Sequence, residues 1–365
     1  MNLNITVFIQ NFNIGGAENT SIKVANELFA NNYNVRIICL KKSGRLINRV
    51  NKKISIIELK KRTIFNSFFE FHKYFKKKDK NIIFSSIINL NIFLCLYKIF
   101  FLKNIKIIIR ESNSNKSFYF SNHKSIKKST LFFSRFFLYS FANLIIAPSE
   151  GVKKELLNLL LINKKNVIKL YNPMDVKNII DESNNILNSN FFKSKKIRFI
   201  SIGRLTKQKN HEMLIESMSL IKNANYEFIC LIVGKGELKY KLKKLIDEKN
   251  LNKNIFIVDH LDDLYSNVKK ADIFISTSLW EGMPNNLIEA YIIGTKILAT
   301  NCEYGPYEIL GNSKELIKSY NEIDLYNRIV VEIENRNQII DNKRNLKRFE
   351  KKNFFDVLFR EINKL

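Results

Sequence analysis

Short apolar runs rich in Ile and Val alternate along this chain with longer amphipathic segments, and the alternation restarts once near the middle. Runs of four to eight such residues suit strands buried on both faces, and strands separated by helical segments pair side by side as a parallel sheet. The pattern predicts strands at 5–9, 35–40, 54–59, 82–85, 105–109 and 144–148, with helices over 16–30 and 152–161. A second set follows at 197–202, 228–233, 255–258, 273–276 and 296–299. Two sets imply an α/β chain with two doubly wound parallel sheets, whose ligands lie beyond the carboxyl ends of the strands. The length of 365 residues agrees, because a single hydrophobic core usually stops growing below that size.

Asn172-Pro173-Met174-Asp175 reads as a turn, and the Asn-rich stretch from there to Lys196 carries no strand signal. This predicts a linker, with one domain over 1–180 and a second over 181–365. The second would end in a helix, 354–365, whose Phe355, Leu358, Ile362 and Leu365 recur at helical spacing.

The net charge of +27 is unevenly placed. Residues 1–180 hold 31 Lys and Arg against 9 Asp and Glu, an excess of 22, whereas residues 181–365 hold 30 against 25. A one-sided basic surface suits nucleic acid, anionic lipid headgroups or a diphosphate-bearing substrate. A nucleic-acid-binding protein is the rival class suggested by the charge, but no zinc-finger or RNA-recognition motif accompanies it. No G-x-G-x-x-G follows either first strand, which argues against a dinucleotide-dependent oxidoreductase.

The four cysteines (Cys39, Cys95, Cys230 and Cys302) lie far apart without a C-x-x-C pair and read as reduced core residues of a cytosolic protein. The opening residues resemble a first strand more than a signal peptide. The longest uncharged run, 81–97, is interrupted by Ser85, Ser86, Asn89 and Asn91 and falls short of the roughly 20 apolar residues of a membrane span. It reads as a strand followed by a buried helix.

Two loops carry the chemistry. Gly203-Arg204-Leu205-Thr206-Lys207-Gln208-Lys209-Asn210 follows the first strand of the second set and opens a helix, a position that favours phosphate, and Arg204 and Lys209 add two cations. The plainer alternative is a tight turn with two solvated charges. Trp280-Glu281-Gly282-Met283-Pro284-Asn285-Asn286-Leu287-Ile288-Glu289-Ala290 follows the strand ending near Ser276. Pro284 suits a first helical turn and Gly282 allows close backbone approach to a ligand. Glu281 and Glu289 are either ligand contacts or partners of the helix dipole.

The E-x7-E spacing of Glu281 and Glu289, within S-x-x-E-G-M-P-N-x-L-x-E-A, resembles the signature of the retaining glycosyltransferases of family 4, which have the GT-B fold. Gly15-Gly16-Ala17-Glu18, Ala147-Pro148-Ser149, Tyr171-Asn172-Pro173, the 203–210 loop, Val233-Gly234-Lys235-Gly236 and Gly305-Pro306-Tyr307-Glu308-Ile309 occur in the family's order, so the resemblance spans about 15–310. It implies two facing Rossmann-like domains with a nucleotide-sugar donor in the cleft. Arg204 and Lys209 would neutralise the donor diphosphate, Glu289 would hold the ribose and Glu281 the transferred sugar. Gly15, Gly16, Gly203, Gly234, Gly236, Gly282, Met283, Pro284, Asn285 and Leu287 would complete the donor site. Lys235 stands where an acidic residue is more usual.

The resemblance further implies front-face displacement with retained configuration and no cofactor. Metal would be unnecessary, in keeping with the missing D-x-D motif and the scattered His72, His123, His211 and His260. Family members often carry a His in the first domain where this chain has Arg110-Glu111-Ser112-Asn113, so Arg110 is a catalytic candidate and Arg110 and Asn113 are candidates for binding donor sugar or acceptor. A UDP-linked hexose or N-acetylhexosamine is the expected donor, with GDP- or ADP-sugars as alternatives. The expected acceptor is a glycan or lipid-linked intermediate of a capsule, lipopolysaccharide or related surface polysaccharide. Lys60-Lys61-Arg62, then Ile64, Phe65, Phe68, Phe69, Phe71 and Phe75, then Lys76-Lys77-Lys78, form a basic-aromatic region. Lys116, Phe118, Tyr119, Phe120, Lys124, Lys127 and Lys128 form a second. Both suit peripheral docking on the cytoplasmic face of an inner or plasma membrane.

Overall fold

The computed structural model describes residues 3–59, 64–75, 81–101, 105–112, 134–135, 137–159, 163–185, 196–311, 314–318, 320–335 and 344–365. The chain divides into two units, Met1–Pro173 with Lys352–Leu365, and Met174–Lys351.

In the first unit the Ile-rich runs form seven parallel strands: β1 (Asn4–Ile9), β2 (Asn34–Cys39), β3 (Ser55–Glu58), β4 (Asn81–Ser85), β5 (Ile105–Arg110), β6 (Leu144–Ala147) and β7 (Val167–Lys169). Their order is β3-β2-β1-β4-β5-β6-β7. Every residue of β4 and β6 is buried, as expected for strands covered on both faces. The second unit repeats the arrangement with β8 (Ile197–Ile202), β9 (Phe228–Val233), β10 (Ile255–Val258), β11 (Ile273–Ser276), β12 (Lys296–Thr300) and β13 (Leu316–Ile317), in the order β10-β9-β8-β11-β12-β13. Each sheet therefore grows outward from its first strand in one direction, then restarts on the other side. The reversal falls between β1 and β4 in one unit and between β8 and β11 in the other, where connections to opposite faces leave a crevice.

Most predicted strands lie within a residue or two of the observed ones. Two were missed, β7 and β13, with three and two residues. Neither carries enough alternation to be read alone; each forms because a neighbour offers an open edge, as when Val167 pairs in register with Ile145. Within the expected linker, the helix Val176–Ser183 starts at Asp175, whose side chain accepts from the Asn178 amide, and buries Ile179.

The domain limits need a larger correction. The boundary falls at 173/174, and the last helix, Lys351–Lys364, belongs from Lys352 onward to the first unit. Its Phe354, Phe355, Leu358 and Ile362 join the first unit's core beside Leu28, Val35 and Ile37, and Phe359 stacks on Tyr33 at 5.8 Å. The helical spacing shows that this segment has an apolar face but does not say which sheet receives it. Within the second unit Met174 N donates to Phe349 O and Lys351 N donates to Met174 O, so its first and last residues run side by side.

All four cysteines are buried and free, and desolvation pushes the thiols of Cys39, Cys95 and Cys230 up to about 12. They serve as core residues in the thiol form.

Because the final helix completes the first core, Leu358→Ala should destabilise that unit by about 2–5 kcal/mol. Removing 352–365 should leave the amides of β1 and β2 in rapid hydrogen exchange while those of β8, β9 and β11 stay protected. Equal protection in both sheets of the shortened chain would contradict the assignment.

Candidate functional site

Two loops meet at the strand-order reversal of the second unit. Beyond β8, Gly203 N donates to Val233 O (3.0 Å) and Leu205 N donates to Lys235 O (2.8 Å), so the loop is zipped to the segment that follows β9. The contact is tight enough to exclude side chains. A Cβ on Gly234 would lie 1.9 Å from Gly203 O, and one on Gly236 would lie 2.2 Å from Leu205 O. Both glycines are thus required by the chain's own backbone, without reference to a ligand. After a short 3-10 turn at Lys207–Lys209, Asn210 takes the left-handed conformation (φ 46°) and the helix His211–Asn223 begins.

The loop after β11 is tied to this one by backbone and side chain. Leu279 N donates to Gln208 O (2.8 Å), and Thr277 Oγ1 donates to Lys209 O (2.9 Å). Pro284 does not enter the helix as expected: it is the N-cap, in extended conformation, and Asn285 is the first residue of the helix Asn285–Ile293. Asn286 Nδ2 donates to Ile202 O, which fastens the start of this helix to the end of β8. Gly305 (φ +94°) lies against Pro284, where a Cβ would come within 2.5 Å of Pro284 Cδ.

These backbone ties bring the predicted polar residues together. Lys209 Nζ lies 2.5 Å from Glu281 Oε1, with side-chain exposures of only 13% and 7%. Gln208, also buried, accepts from Arg204 Nη2 (3.0 Å) through Oε1 and donates through Nε2 to Trp280 O (2.9 Å), with Glu281 Oε2 at 3.5 Å. Arg204 remains exposed. The result is an unbroken polar chain, Arg204–Gln208–Glu281–Lys209, across both loops. Glu289, in the second turn of the helix Asn285–Ile293, accepts from the Tyr265 hydroxyl at 3.2 Å. The two glutamates therefore have different surroundings, one bound to a cation and the other to a phenol.

Gln208 and Tyr265 were not anticipated. Gln208 sits between two lysines in a loop read for its charges, and Tyr265 lies outside every motif. Leu287, expected at the donor, has a fully buried side chain, and Met283 is buried too.

In the first unit, Gly15 is the extended N-cap of the helix Gly16–Ala30. A Cβ there would meet only the mobile end of the Glu18 side chain, so packing does not demand the glycine. Ser86 Oγ, just beyond β4, lies 2.7 Å from Ser21 Oγ and donates to Ala17 O (3.0 Å), which fastens this helix to the end of β4. Arg110, at the end of β5, is buried and donates to Asn172 Oδ1, while its Nε and Nη1 have no hydrogen-bond partner among the described residues. Desolvation lowers its pKa to about 10 against the raising effect of Glu111. Glu111 is held by Arg135 (3.3 Å) and by the Tyr139 hydroxyl (3.2 Å).

Asn113, the whole 116–128 region, Lys60-Lys61-Arg62 and Lys76-Lys77-Lys78 lie outside the described residues. Within the first basic-aromatic region Ile64, Phe71 and Phe75 are core residues, so only part of that region is available to a surface.

Residues 14–178 match the family described as Glycosyltransferase Family 4, and residues 182–352 match Glycosyl transferases group 1. An uncharacterized glycosyltransferase of Methanocaldococcus jannaschii is 34% identical over 178 residues, 48% of this chain and 43% of that protein. A Campylobacter jejuni N-acetylgalactosamine-N,N'-diacetylbacillosaminyl-diphospho-undecaprenol 4-alpha-N-acetylgalactosaminyltransferase is 29% identical over 209 residues, 57% of this chain and 54% of that protein. The chain thus spans about half the length of these curated relatives. The crystal structure of Anabaena HepE in complex with UDP-glucose superposes with a TM-score of 0.81 at 15% identity, over 99% of this chain and 100% of that one, and so shares the fold.

Behind the Gly203 loop, His211 is buried, and its pKa is lowered to about 4 by desolvation and then by the Lys209 charge, partly offset by the backbone of Gly203 and Arg204. The folded value lies below the ordinary 6.5, so this residue's contribution to stability is complete above pH 6.5 and falls as pH drops toward 4. Thermal melting between those values should decline more steeply in the parent protein than in His211→Gln. Parallel declines would show that His211 does not titrate as its burial requires.

Proposed function

The chain belongs to the family 4 glycosyltransferases of GT-B type, and from that premise we propose that it transfers a hexosyl or N-acetylhexosaminyl group from a nucleotide sugar, with retained configuration, to a glycan or lipid-linked acceptor of surface-polysaccharide assembly. The observation that carries this reading is the polar chain of Arg204, Gln208, Glu281 and Lys209 at the crevice between β8 and β11. Two fixed cations at the opening of a helix suit a diphosphate, whose developing charge they stabilise as the sugar departs. Glu289 binds the ribose hydroxyls, and Glu281 orients the sugar. The bond between the anomeric carbon and the phosphate oxygen breaks, the acceptor oxygen bonds to the same face, and its proton passes to the leaving phosphate.

UDP is the nucleotide we favour, because the HepE complex holds UDP-glucose. The diphospho-undecaprenol in the Campylobacter relative's name supports a lipid-linked acceptor. The first unit would then bind the acceptor, and Arg110, Gly15 and Gly16 are the residues we assign there to substrate contact. The excess of 22 positive charges in residues 1–180 supports peripheral attachment to an anionic, cytoplasmic membrane face. Among the described residues no helix is long and apolar enough to cross a membrane.

The Lys209–Glu281 pair changes what a substitution at Glu281 should do. A carboxylate 2.5 Å from Nζ competes with phosphate for the same ammonium group, and its own charge repels the diphosphate. Glu281→Gln should therefore lower the transfer rate by at least about tenfold while tightening free UDP several-fold. Glu289→Gln should weaken UDP and the nucleotide sugar alike, by about tenfold for one lost charged hydrogen bond. Titration calorimetry with UDP, GDP and ADP, paired with transfer kinetics, separates these outcomes and selects the base. Weaker UDP binding by Glu281→Gln with unchanged binding by Glu289→Gln would reverse the two roles.

A second expectation follows from assigning charge neutralisation to Arg204 and Lys209. Transfer should persist in excess chelator, and restoration of a lost activity by magnesium or manganese would count against fixed cations doing this work.

A further inference from the structure

The helix Ile88–Phe101 ends in an apolar surface built from three chain segments. Phe100, in its last turn, is 71% exposed, and its neighbours Ile99 and Phe101 are exposed as well. To one side, the Phe101 ring lies 4.7 Å from Phe68, which is 6.1 Å from the ring of Phe69, 78% exposed. To the other, Lys98 Nζ donates to Phe141 O (2.9 Å) and Asn143 Oδ1 (2.6 Å), and the Phe141 ring lies 5.4 Å from Phe137, 58% exposed. Single exposed apolar side chains are ordinary; five gathered around one helix end mark an interaction surface.

The rings beneath are fixed. Phe68 packs on Phe93 (5.6 Å) and Tyr97 (5.3 Å), Phe71 packs on Tyr97 (5.1 Å), and the Tyr97 hydroxyl lies 2.8 Å from His72 Nδ1. Phe71, Phe93 and Tyr97 have no exposed surface, so the exposed phenyl groups stand on a close-packed base.

Charge decides what this surface meets. Residues 60–106, which include two of the three segments, hold eleven Lys and Arg against two Asp and Glu. A second copy of the chain would bring the same positive excess against itself. An anionic bilayer complements that charge and also accepts apolar side chains at the boundary between headgroups and acyl chains.

We propose that Phe69, Ile99, Phe100, Phe101 and Phe137 form a wedge that inserts into an anionic lipid surface, with the positive charge carried by this part of the sequence drawing the protein to it. The proposal rests on the membrane attachment inferred above and supplies its contact residues. The two forces have separate signatures. Attraction by lysine is screened by salt, whereas insertion of phenyl groups is not.

The test uses the full chain with vesicles of phosphatidylglycerol mixed with phosphatidylcholine, or of phosphatidylcholine alone. Flotation at low and high salt compares the parent protein with the double variant Phe69→Ser, Phe100→Ser. The parent should float with the anionic vesicles and keep a residual bound fraction at high salt. The double variant should partition at least about tenfold less and lose that residual fraction. Phe100→Trp should shift its emission to shorter wavelength on anionic vesicles only; Trp280, the single native Trp, is buried and supplies a constant background.

Parent-like flotation of the double variant, or an unmoved Trp emission, would overturn the wedge while leaving membrane attachment standing. Absence of the parent from both vesicle types would overturn both. A parent dimer in sedimentation that the double variant abolishes would make the patch a self-interface and end the proposal. UDP titration of each variant judges the transferase reading separately and should be unchanged.

Discussion

A parallel sheet that begins in its middle must send the chain first to one side and then to the other, and this constraint organises both units of the protein. Successive crossovers of one hand put helices on one face until the direction changes, then on the opposite face. Only at the change do two neighbouring strands lead into helices on opposite faces of the sheet, which leaves room between them for their loops and a ligand. In the second unit those strands are β8 and β11, and their loops hold nearly every residue argued to touch the donor. The glycines at 234 and 236 belong to the same constraint, because they let the neighbouring segment lie close enough to set the height of the Gly203 loop.

Electrostatics then refines what the topology has assembled. Arg204 is exposed, but Lys209 is half of a buried pair with Glu281, and Gln208 links Arg204 to the loop that carries Glu281. Leaving either member of such a pair alone in a poorly solvated site is costly, typically about 3–5 kcal/mol when the pair is fully buried. A diphosphate arriving at Lys209 therefore replaces one anionic partner with another. The carboxylate thereby released is the group argued to meet the sugar.

How much of this was legible in the chain depends on what kind of information each residue carries. Strands such as β8 and β11 could be read because burial on both faces demands a continuous apolar run. Glu281 and Glu289 could be singled out because a Trp, a Gly and a Pro surround them without a structural reason visible in one dimension. Gln208 was hidden because an uncharged amide between two lysines has no pattern, and its role exists only once Trp280 and Arg204 are beside it. Composition likewise puts Phe71 and Phe69 in one basic-aromatic region, yet the fold buries the first against Phe8 and leaves the second 78% exposed.

The last helix has a consequence for how the protein is made. Residues 174–351 form a continuous stretch, and their unit lacks nothing once that stretch has left the ribosome. The unit containing the first strand waits longer, since Phe354, Phe355, Leu358 and Ile362, which complete its core, follow the whole of the second unit along the chain. Of these two units, the one that begins earlier along the chain is thus the one that finishes folding later, with part of its apolar face uncovered while the other matures.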